Sequence, residues 1–265
     1  SDPKSLTTRD SMVSAAQTLV SRFHSLNGQI EAQYKNINSQ VQGYVDNINS
    51  YAQQVASLNN KIIAAQAATN QPPNDLYDQR DQLLAELNKL IGVQTTTNSN
   101  GSLNVYFGNG QQLVVGTTAT NLTAVASSGD ASRLTVGIVN SSGTQELPES
   151  VISGGALAGV LGYRSETLDE VANELGRIAA SVALTFNAQH ALGQDLLGNT
   201  AVNSAPGVFQ SKLLVMPDAP TVIPNRKNTG NAEISASFLP VSSNGANFYS
   251  NLTASDYRLT YDGTD

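Results

Sequence analysis

Three aspartates, Asp75, Asp78 and Asp81, surround Arg80 at intervals of three residues. Paired carboxylates at this helical spacing could act as a general acid and a general base. They follow Asn74, a favourable N-cap residue, and the dipole of a helix stabilises anions in its first turn. We therefore interpret these aspartates as compensation of the helix dipole, combined with ion pairing to Arg80 or to a neighbouring helix.

The other reactive side chains form no recognisable catalytic or metal-binding pattern. His24 and His190 are the only histidines and lack the further ligands that a metal site needs, and the absence of cysteine excludes thiolate ligands and disulfides. The glycine-rich run 108–110 lacks the phosphate-binding pattern and predicts a hairpin turn. Ser153 lies outside any G-x-S-x-G motif and is interpreted as a helix cap. We expect no catalytic, cofactor or metal site and no enzymatic activity.

The composition favours a protein whose surface packs against other proteins. Charged residues make up 13 % of the 265 residues, about half of the usual fraction, and the net charge is −7. Lys and Arg are scattered, which argues against binding to nucleic acid or to an anionic membrane surface. No apolar run approaches the roughly 20 residues of a membrane-spanning helix. Because the chain starts at Ser1 and stops just after a strand-like run, we expect a fragment of a longer protein.

A heptad pattern near the start of the chain predicts one long helix. Apolar or aromatic residues recur at alternating steps of three and four residues from Val13 to Ala65, interrupted by Asn27. Gly28 and Gly43 are unfavourable inside a helix and indicate a break or bend near residues 27 and 28. The predicted helix-packing seam consists of Val13, Val20, Phe23, Ile30, Tyr34, Ile37, Val41, Tyr44, Ile48, Tyr51, Val55, Leu58 and Ile62.

Two further helices are predicted. A shorter return helix has Asn74 as its N-cap and ends before Gly92. A third helix follows Ser153 and runs to about His190. We expect its seam to pack along the seam of the first helix, within one bundle; this second seam consists of Leu161, Leu168, Val171, Leu175, Ile178 and Val182.

Between the second and third helices the apolar period changes to two, which is typical of strands. The pattern predicts strands at 95–97, 103–107, 112–115, 121–126 and 133–139, and shorter runs predict others at 212–216, 233–238 and 257–261. The predicted fold is α+β, elongated and multi-domain, with a long-helix bundle, an inserted small antiparallel β domain and a further β-rich region. The predicted limits are 1–92 and 151–192 for the helical rod domain, 93–150 for the inserted domain and 193–265 for the second, truncated β region.

Five segments carry a resemblance to a known family. They comprise 71–84, a helix–turn–helix junction; 104–111, an N-V-x-x-G-N-G-Q hairpin; 154–169, a helix start; 186–199, a helix end with its loop; and 257–263, a β segment. In these motifs the chain resembles the flagellar hook-associated protein 1 family, whose members join hook to filament. The matching positions, to which the resemblance assigns structural roles, are Asp78, Arg80, Asp81, Asn109, Gly110, Arg164 and Asn187.

The resemblance implies a flagellin-like rod domain in an extracellular structural subunit of the flagellum, exported by the flagellar type III pathway. It implies the hook protein, a second junction protein and a ring of identical subunits as partners. The terminal segments of the family have no counterpart here, so the chain corresponds to the middle of such a protein. We expect this fragment to be monomeric, because its seam is satisfied internally.

Two other classes of function remain as alternatives. A secreted adhesin or type III translocator with a coiled-coil stalk would also use a long seam, and its stalk should form a stable dimer or trimer through residues 13–65. An enzyme that hydrolyses cell-wall polymers would need an acid–base pair in a recognisable frame, and the sequence offers none.

Overall fold

The computed structural model describes residues 5–69, 71–201, 203, 205, 209–210, 213–216, 219–230, 233–237 and 253–260. The chain divides into two compact units. One unit contains Gln33–Glu166 and Ile223–Gly230, and the other contains Ser1–Ala32, Thr167–Val222 and Asn231–Asp265. Two of the divisions, after Ala32 and after Glu166, fall inside helical segments. The domain limits predicted above follow changes of secondary structure and stay predictions.

The first helix, α1, extends without interruption over the 64 residues Leu6–Thr69. The helix is continuous through Gly28 and Gly43, so the predicted break near residue 28 is wrong. A single glycine costs about 1 kcal/mol relative to alanine. This cost is small for a helix of this length, because packing of an apolar face supplies most helical stability in proteins.

The second helix, α2 (Asn74–Leu90), returns after the two prolines. Asn74 is its first helical residue and Pro73 occupies the preceding position without a side-chain cap, so the N-cap role predicted for Asn74 is wrong. Proline favours the start of a helix because its fixed φ suits the first turn and it has no N–H to leave unpaired.

Seven strands follow α2 and form two antiparallel sheets. β1 (Val93–Thr97), β2 (Leu103–Phe107), β3 (Gln111–Val115) and β4 (Thr118–Ala119) pair in sequence order. β5 (Leu122–Ala126), β6 (Leu134–Asn140) and β7 (Gly143–Glu146) form the second sheet, also in sequence order. The five predicted strands are confirmed within two residues at each end. β4 and β7 were not predicted, because they are short and largely polar.

The chain then returns to helix after a 3-10 turn, Glu149–Val151. The predicted third helix consists of α3 (Gly155–Gly162), a π turn (Tyr163–Leu168) and α4 (Asp169–Ala191). Gly154 precedes α3 without a side-chain cap, so the cap role predicted for Ser153 is wrong. The backbone carbonyl of Ser153 instead accepts the N–H of Gly92 at 3.0 Å. Gly155 has φ +72°, and a Cβ there would lie 2.4 Å from the carbonyl carbon of Leu90, so only glycine fits where α3 meets α2.

The described residues beyond α4 contain no strand. The predicted strands are therefore wrong at 213–216, 233–237 and 257–260, while positions 212, 238 and 261 lie outside the described residues. A strand requires a partner for its backbone groups, and none of these runs has one within the described chain. The α+β class is nevertheless confirmed by the long helix and the two antiparallel sheets.

None of the helices in the described part of the chain has both the length and the apolar character of a bilayer-spanning segment.

Candidate functional site: the junction between the long helix and the strands

Two asparagines of α1 hold the second sheet by its backbone. Asn38 donates from Nδ2 to the carbonyl of Ser132 at 2.8 Å and accepts the N–H of Leu134 at 2.9 Å. Asn49 donates to the carbonyl of Leu122 at 2.8 Å and accepts the N–H of the same residue at 2.8 Å. Leu122 and Leu134 are the first residues of β5 and β6. Each amide thus satisfies backbone groups at the start of a strand, where ladder partners are missing.

A third asparagine, Asn59, connects α1 to the first sheet and to α2. It is fully buried and makes four hydrogen bonds, the full capacity of a side-chain amide. Nδ2 donates to the carbonyls of Leu103 (2.7 Å) and Gly116 (2.6 Å). Oδ1 accepts the N–H of Leu103 at 3.1 Å and Nη1 of Arg80 at 3.2 Å. Leu103 is the first residue of β2, so the contact repeats the pattern of the other two asparagines.

Arg80 is buried in this junction rather than paired with the aspartates around it. Its Nη1 also donates to the carbonyl of Gly101 at 2.9 Å, and its guanidinium lies 5.1 Å from the centre of the Tyr77 ring. Burial lowers the pKa of Arg80, and the nearby Asp81 carboxylate partly offsets this effect. Asp78 and Asp81 themselves are exposed. The predicted ion pair of Arg80 is wrong, because the side chain points into the junction while the carboxylates stay in water.

A second buried arginine, Arg164, also binds the backbone of Leu134. Its guanidinium is 1 % exposed, donates to the carbonyl of Leu134 at 2.8 Å and forms an ion pair with Glu149. The N–H of the same leucine is held by Asn38. The two backbone groups of Leu134 at the start of β6 are therefore bound by side chains from α1 and from the π turn.

These contacts run in order along α1. Asn38, Asn49 and Asn59 are separated by 11 and 10 residues, close to three helical turns, so they share one face of the helix. In the β5–β6 ladder Ala126 pairs with Leu134, so the residues held by Asn49 and Asn38 lie at opposite ends of this hairpin. The hairpin therefore runs alongside α1.

The predicted seam residues differ in burial along the chain. Eight are buried: Ile37, Val41, Ile48, Val55, Leu58, Ile62, Leu161 and Leu168. Eight are half-buried: Val13, Phe23, Ile30, Tyr34, Tyr44, Tyr51, Leu175 and Val182. Three are exposed: Val20 (37 %), Val171 (50 %) and Ile178 (41 %). From Ile37 to Ile62, the asparagines beside the seam bind strands, so this half of α1 lies against the sheets. The predicted packing of its seam along the third helix stays a prediction.

The π turn explains the exposure of Val171 and Ile178. A π turn adds one residue, and each residue of an α-helix turns by about 100°, so the face that points inward moves by one position beyond it. Ala183 then takes the inward-facing position that the heptad spacing assigned to Val182, and Ala183 is the buried residue of α4. Val171 and Ile178 turn outward and line a shallow surface groove together with Glu170 and Glu174. The predicted heptad spacing assumed an uninterrupted helix.

Asn187 uses the same amide geometry at the end of α4. It donates to the carbonyl of Leu214 at 2.7 Å and accepts the N–H groups of Leu213 and Leu214, both at 2.9 Å. One turn later, the His190 ring stacks against Phe186 and Phe209, with ring centres 6.3 and 5.5 Å away. These contacts hold Phe209, Leu213 and Leu214 at the end of the helix.

The remaining motif positions lie at the surface. Asn109 and Gly110 are exposed in the turn between β2 and β3, where Gly110 has φ +87°. Among the described residues, no three acidic or histidine side chains lie close enough together to bind a metal ion.

Comparison with known proteins identifies the family. The family model for the helical domain of flagellar hook-associated protein FlgK matches residues 1–203. The chain belongs to this family. Flagellar hook-associated protein 1 of Salmonella typhimurium is 36 % identical over 259 residues, which cover 97 % of this chain and 44 % of that protein. The Escherichia coli K12 protein of the same name is 34 % identical over 256 residues, with 96 % and 44 % covered.

A solved structure of the flagellar hook junction protein FlgK from Burkholderia pseudomallei is similar over 98 % of this chain and 44 % of its own, with 39 % identity and a TM-score of 0.85. The family inferred from the motifs is thus confirmed. The chain spans less than half the length of the FlgK relatives it matches.

Sequence reasoning missed the three asparagines of α1, which the heptad pattern assigned to the polar flank. A signal was present: each of them directly follows a seam residue, Ile37, Ile48 or Leu58. Asparagine is also a poor residue for a helix interior. Its repeated placement beside the buried stripe indicates a side chain used for backbone hydrogen bonds.

Proposed function

We propose that this chain is the middle part of a structural subunit of the bacterial flagellum, placed at the junction between hook and filament. The observation that carries the proposal is the match of the FlgK helical-domain model over residues 1–203, together with similarity to a flagellar hook junction protein over nearly the whole chain. The domain limits predicted from sequence, with a rod formed by 1–92 and 151–192, belong to this proposal.

In this subunit the exposed apolar side chains of the helices pack against the rest of the protein or its neighbours. Val20, Val171 and Ile178 are 37–50 % exposed, so water contacts apolar surface that assembly would cover. The proposed partners are the hook protein, a second junction protein and copies of the subunit in a ring. The proposed location is extracellular, after type III export, with no catalysis and no cofactor, and with neither nucleic acid nor membrane as a partner.

The isolated chain is proposed to be a monomer. The seam between Ile37 and Ile62 is covered within the chain, and the three exposed seam residues, Val20, Val171 and Ile178, offer a small surface compared with the roughly 1,200–2,000 Å² that a stable interface buries. Light scattering coupled to size-exclusion chromatography tests this at micromolar concentration. A stable dimer or trimer that requires residues 13–65 would contradict this proposal.

The proposal is tested with the full-length protein in an E. coli strain that lacks its own hook-associated protein 1. We expect restored filaments on existing hooks and restored swimming, scored by electron microscopy and by spreading in soft agar. The matched control is the same full-length protein with residues 13–65 deleted, expressed at the same level, which should leave bare hooks. A full-length protein that is exported but leaves hooks bare would contradict the proposal.

A further inference from the structure

The apolar face of α1 alone does not specify where the strands lie along the helix. Its buried apolar positions include Ile37, Val41, Val45, Ile48 and Ala52, and they continue at steps of three and four residues. A shift of the strands by one helical turn, about 6 Å, would therefore place most apolar positions on apolar positions again. Shifts of packed elements by one turn are a known form of alternative packing.

No asparagine recurs one turn before or after any of the three, although Gln42 and Gln53 offer a longer amide four residues after Asn38 and Asn49. Four residues before Asn38, Asn49 and Asn59 lie Tyr34, Val45 and Val55. Four residues after them lie Gln42, Gln53 and Ile63.

A one-turn shift would thus remove an asparagine from the start of β2, β5 and β6 simultaneously. Leu103 and Leu122 are 7 % and 3 % exposed, so water cannot readily replace the lost hydrogen bonds.

We propose that Asn38, Asn49 and Asn59 set the axial register of the strands on α1. The apolar contacts hold the two layers together, and the amides select one position among several that would bury similar apolar surface. A single polar residue in a coiled-coil seam fixes register by the same principle. The role is independent of the flagellar assignment, because it concerns the internal packing of one compact unit, Gln33–Glu166 with Ile223–Gly230.

Cross-linking can read the register directly, since the chain contains no cysteine. Gln53 and Asn121 are exposed and their side chains lie 3.4 Å apart, so Gln53→Cys with Asn121→Cys reports the observed register. Ser50 and Ser57 are exposed on the same helix, three residues before and four residues after Gln53. Ser50→Cys or Ser57→Cys, each with Asn121→Cys, reports a shift by one turn. A short bifunctional thiol reagent joins whichever pair is close.

With the asparagines intact, we expect rapid cross-linking of the 53–121 pair and slow cross-linking of the shifted pairs. In an Asn38→Ala/Asn49→Ala background, the rate for at least one shifted pair should rise about fivefold or more. Asn36→Ala/Asn47→Ala is the matched control, because both of these asparagines are exposed on α1, and it should leave all rates unchanged.

The double alanine variant is first checked for native helix content by circular dichroism. If it does not fold, Asn38→Asp/Asn49→Asp takes its place, because aspartate keeps the shape and the acceptor but replaces each Nδ2 donor by a carboxylate oxygen that the carbonyls of Ser132 and Leu122 repel. A folded variant of either kind whose shifted pairs react as slowly as in wild type overturns the proposal: the asparagines would then stabilise the junction without choosing its register.

Discussion

Asn59→Ala should destabilise this chain more than other single asparagine replacements in α1. The change removes four hydrogen bonds and leaves the N–H and C=O of Leu103 and the C=O of Gly116 without their side-chain partner. Arg80 keeps its bond to Gly101 but loses the amide oxygen. A buried polar group without a partner costs about 1–3 kcal/mol, and three backbone groups lose theirs here. Water entering the vacated space recovers part of the loss, so we expect about 3–5 kcal/mol.

Urea unfolding followed by circular dichroism at 222 nm measures this change, provided that the m-value stays constant. Asn47→Ala, at an exposed position of the same helix, is the control and should change the free energy of unfolding by less than about 0.5 kcal/mol. Asn59→Asp keeps an acceptor for Arg80 and Leu103 but loses both donated bonds and places a buried carboxylate oxygen against the carbonyls of Leu103 and Gly116, so it should also cost more than about 1 kcal/mol. A loss below about 1 kcal/mol for Asn59→Ala would refute the idea that this amide organises the junction.

Further changes test other parts of the structure. Arg164→Met should lower the free energy of unfolding by about 2–4 kcal/mol, because a buried guanidinium and its contact with β6 are lost. Glu149→Gln should lower it by less than about 1 kcal/mol, because the Glu149 side chain is 37 % exposed. Urea unfolding measures both changes. Gly43→Ala should raise the thermal midpoint and add about 0.5–1 kcal/mol, since a Cβ there meets no atom within 4 Å; an unchanged or lower midpoint would contradict this. Burial would raise the pKa of Glu146, but hydrogen bonds from Lys227 and Ser128 outweigh it and lower the pKa from 4.5 to about 2. The ionised Glu146 side chain contributes at most about 1 kcal/mol to the free energy of unfolding, because Lys227 is exposed. This contribution is present above pH 4.5 and lost as the pH falls towards 2, so the stability of Glu146→Gln should not show this loss in an acid titration.

Local patterns in the sequence were sufficient for most of the regular elements. The heptad spacing identified α1, and the change of period at Val93 separated the strands from the helices, because both signals depend on residues near each other in the chain. The two prolines and the glycine-rich turns marked the ends of elements for the same reason.

The partners of these elements could not be obtained in this way. The seam of α1 is compatible with a helix or a sheet, and only the long-range contacts of Asn38, Asn49 and Asn59 show that strands cover its second half. The π turn at Tyr163–Leu168 has no local signature, so the outward rotation of Val171 could not be foreseen. Arg80 sits among three aspartates in sequence, yet the fold turns it towards an amide and a carbonyl.

Side-chain amides of α1 bind the first residues of β2, β5 and β6. Hydrogen exchange of individual backbone amides, followed by NMR, tests it most directly, because the first residue of a strand ordinarily frays. We predict that the N–H groups of Leu103, Leu122 and Leu134 exchange as slowly as that of Leu147, which is 5 % exposed and donates its N–H to the carbonyl of Val136. Exchange of these three amides as fast as that of the exposed turn residue Gly110 would contradict it.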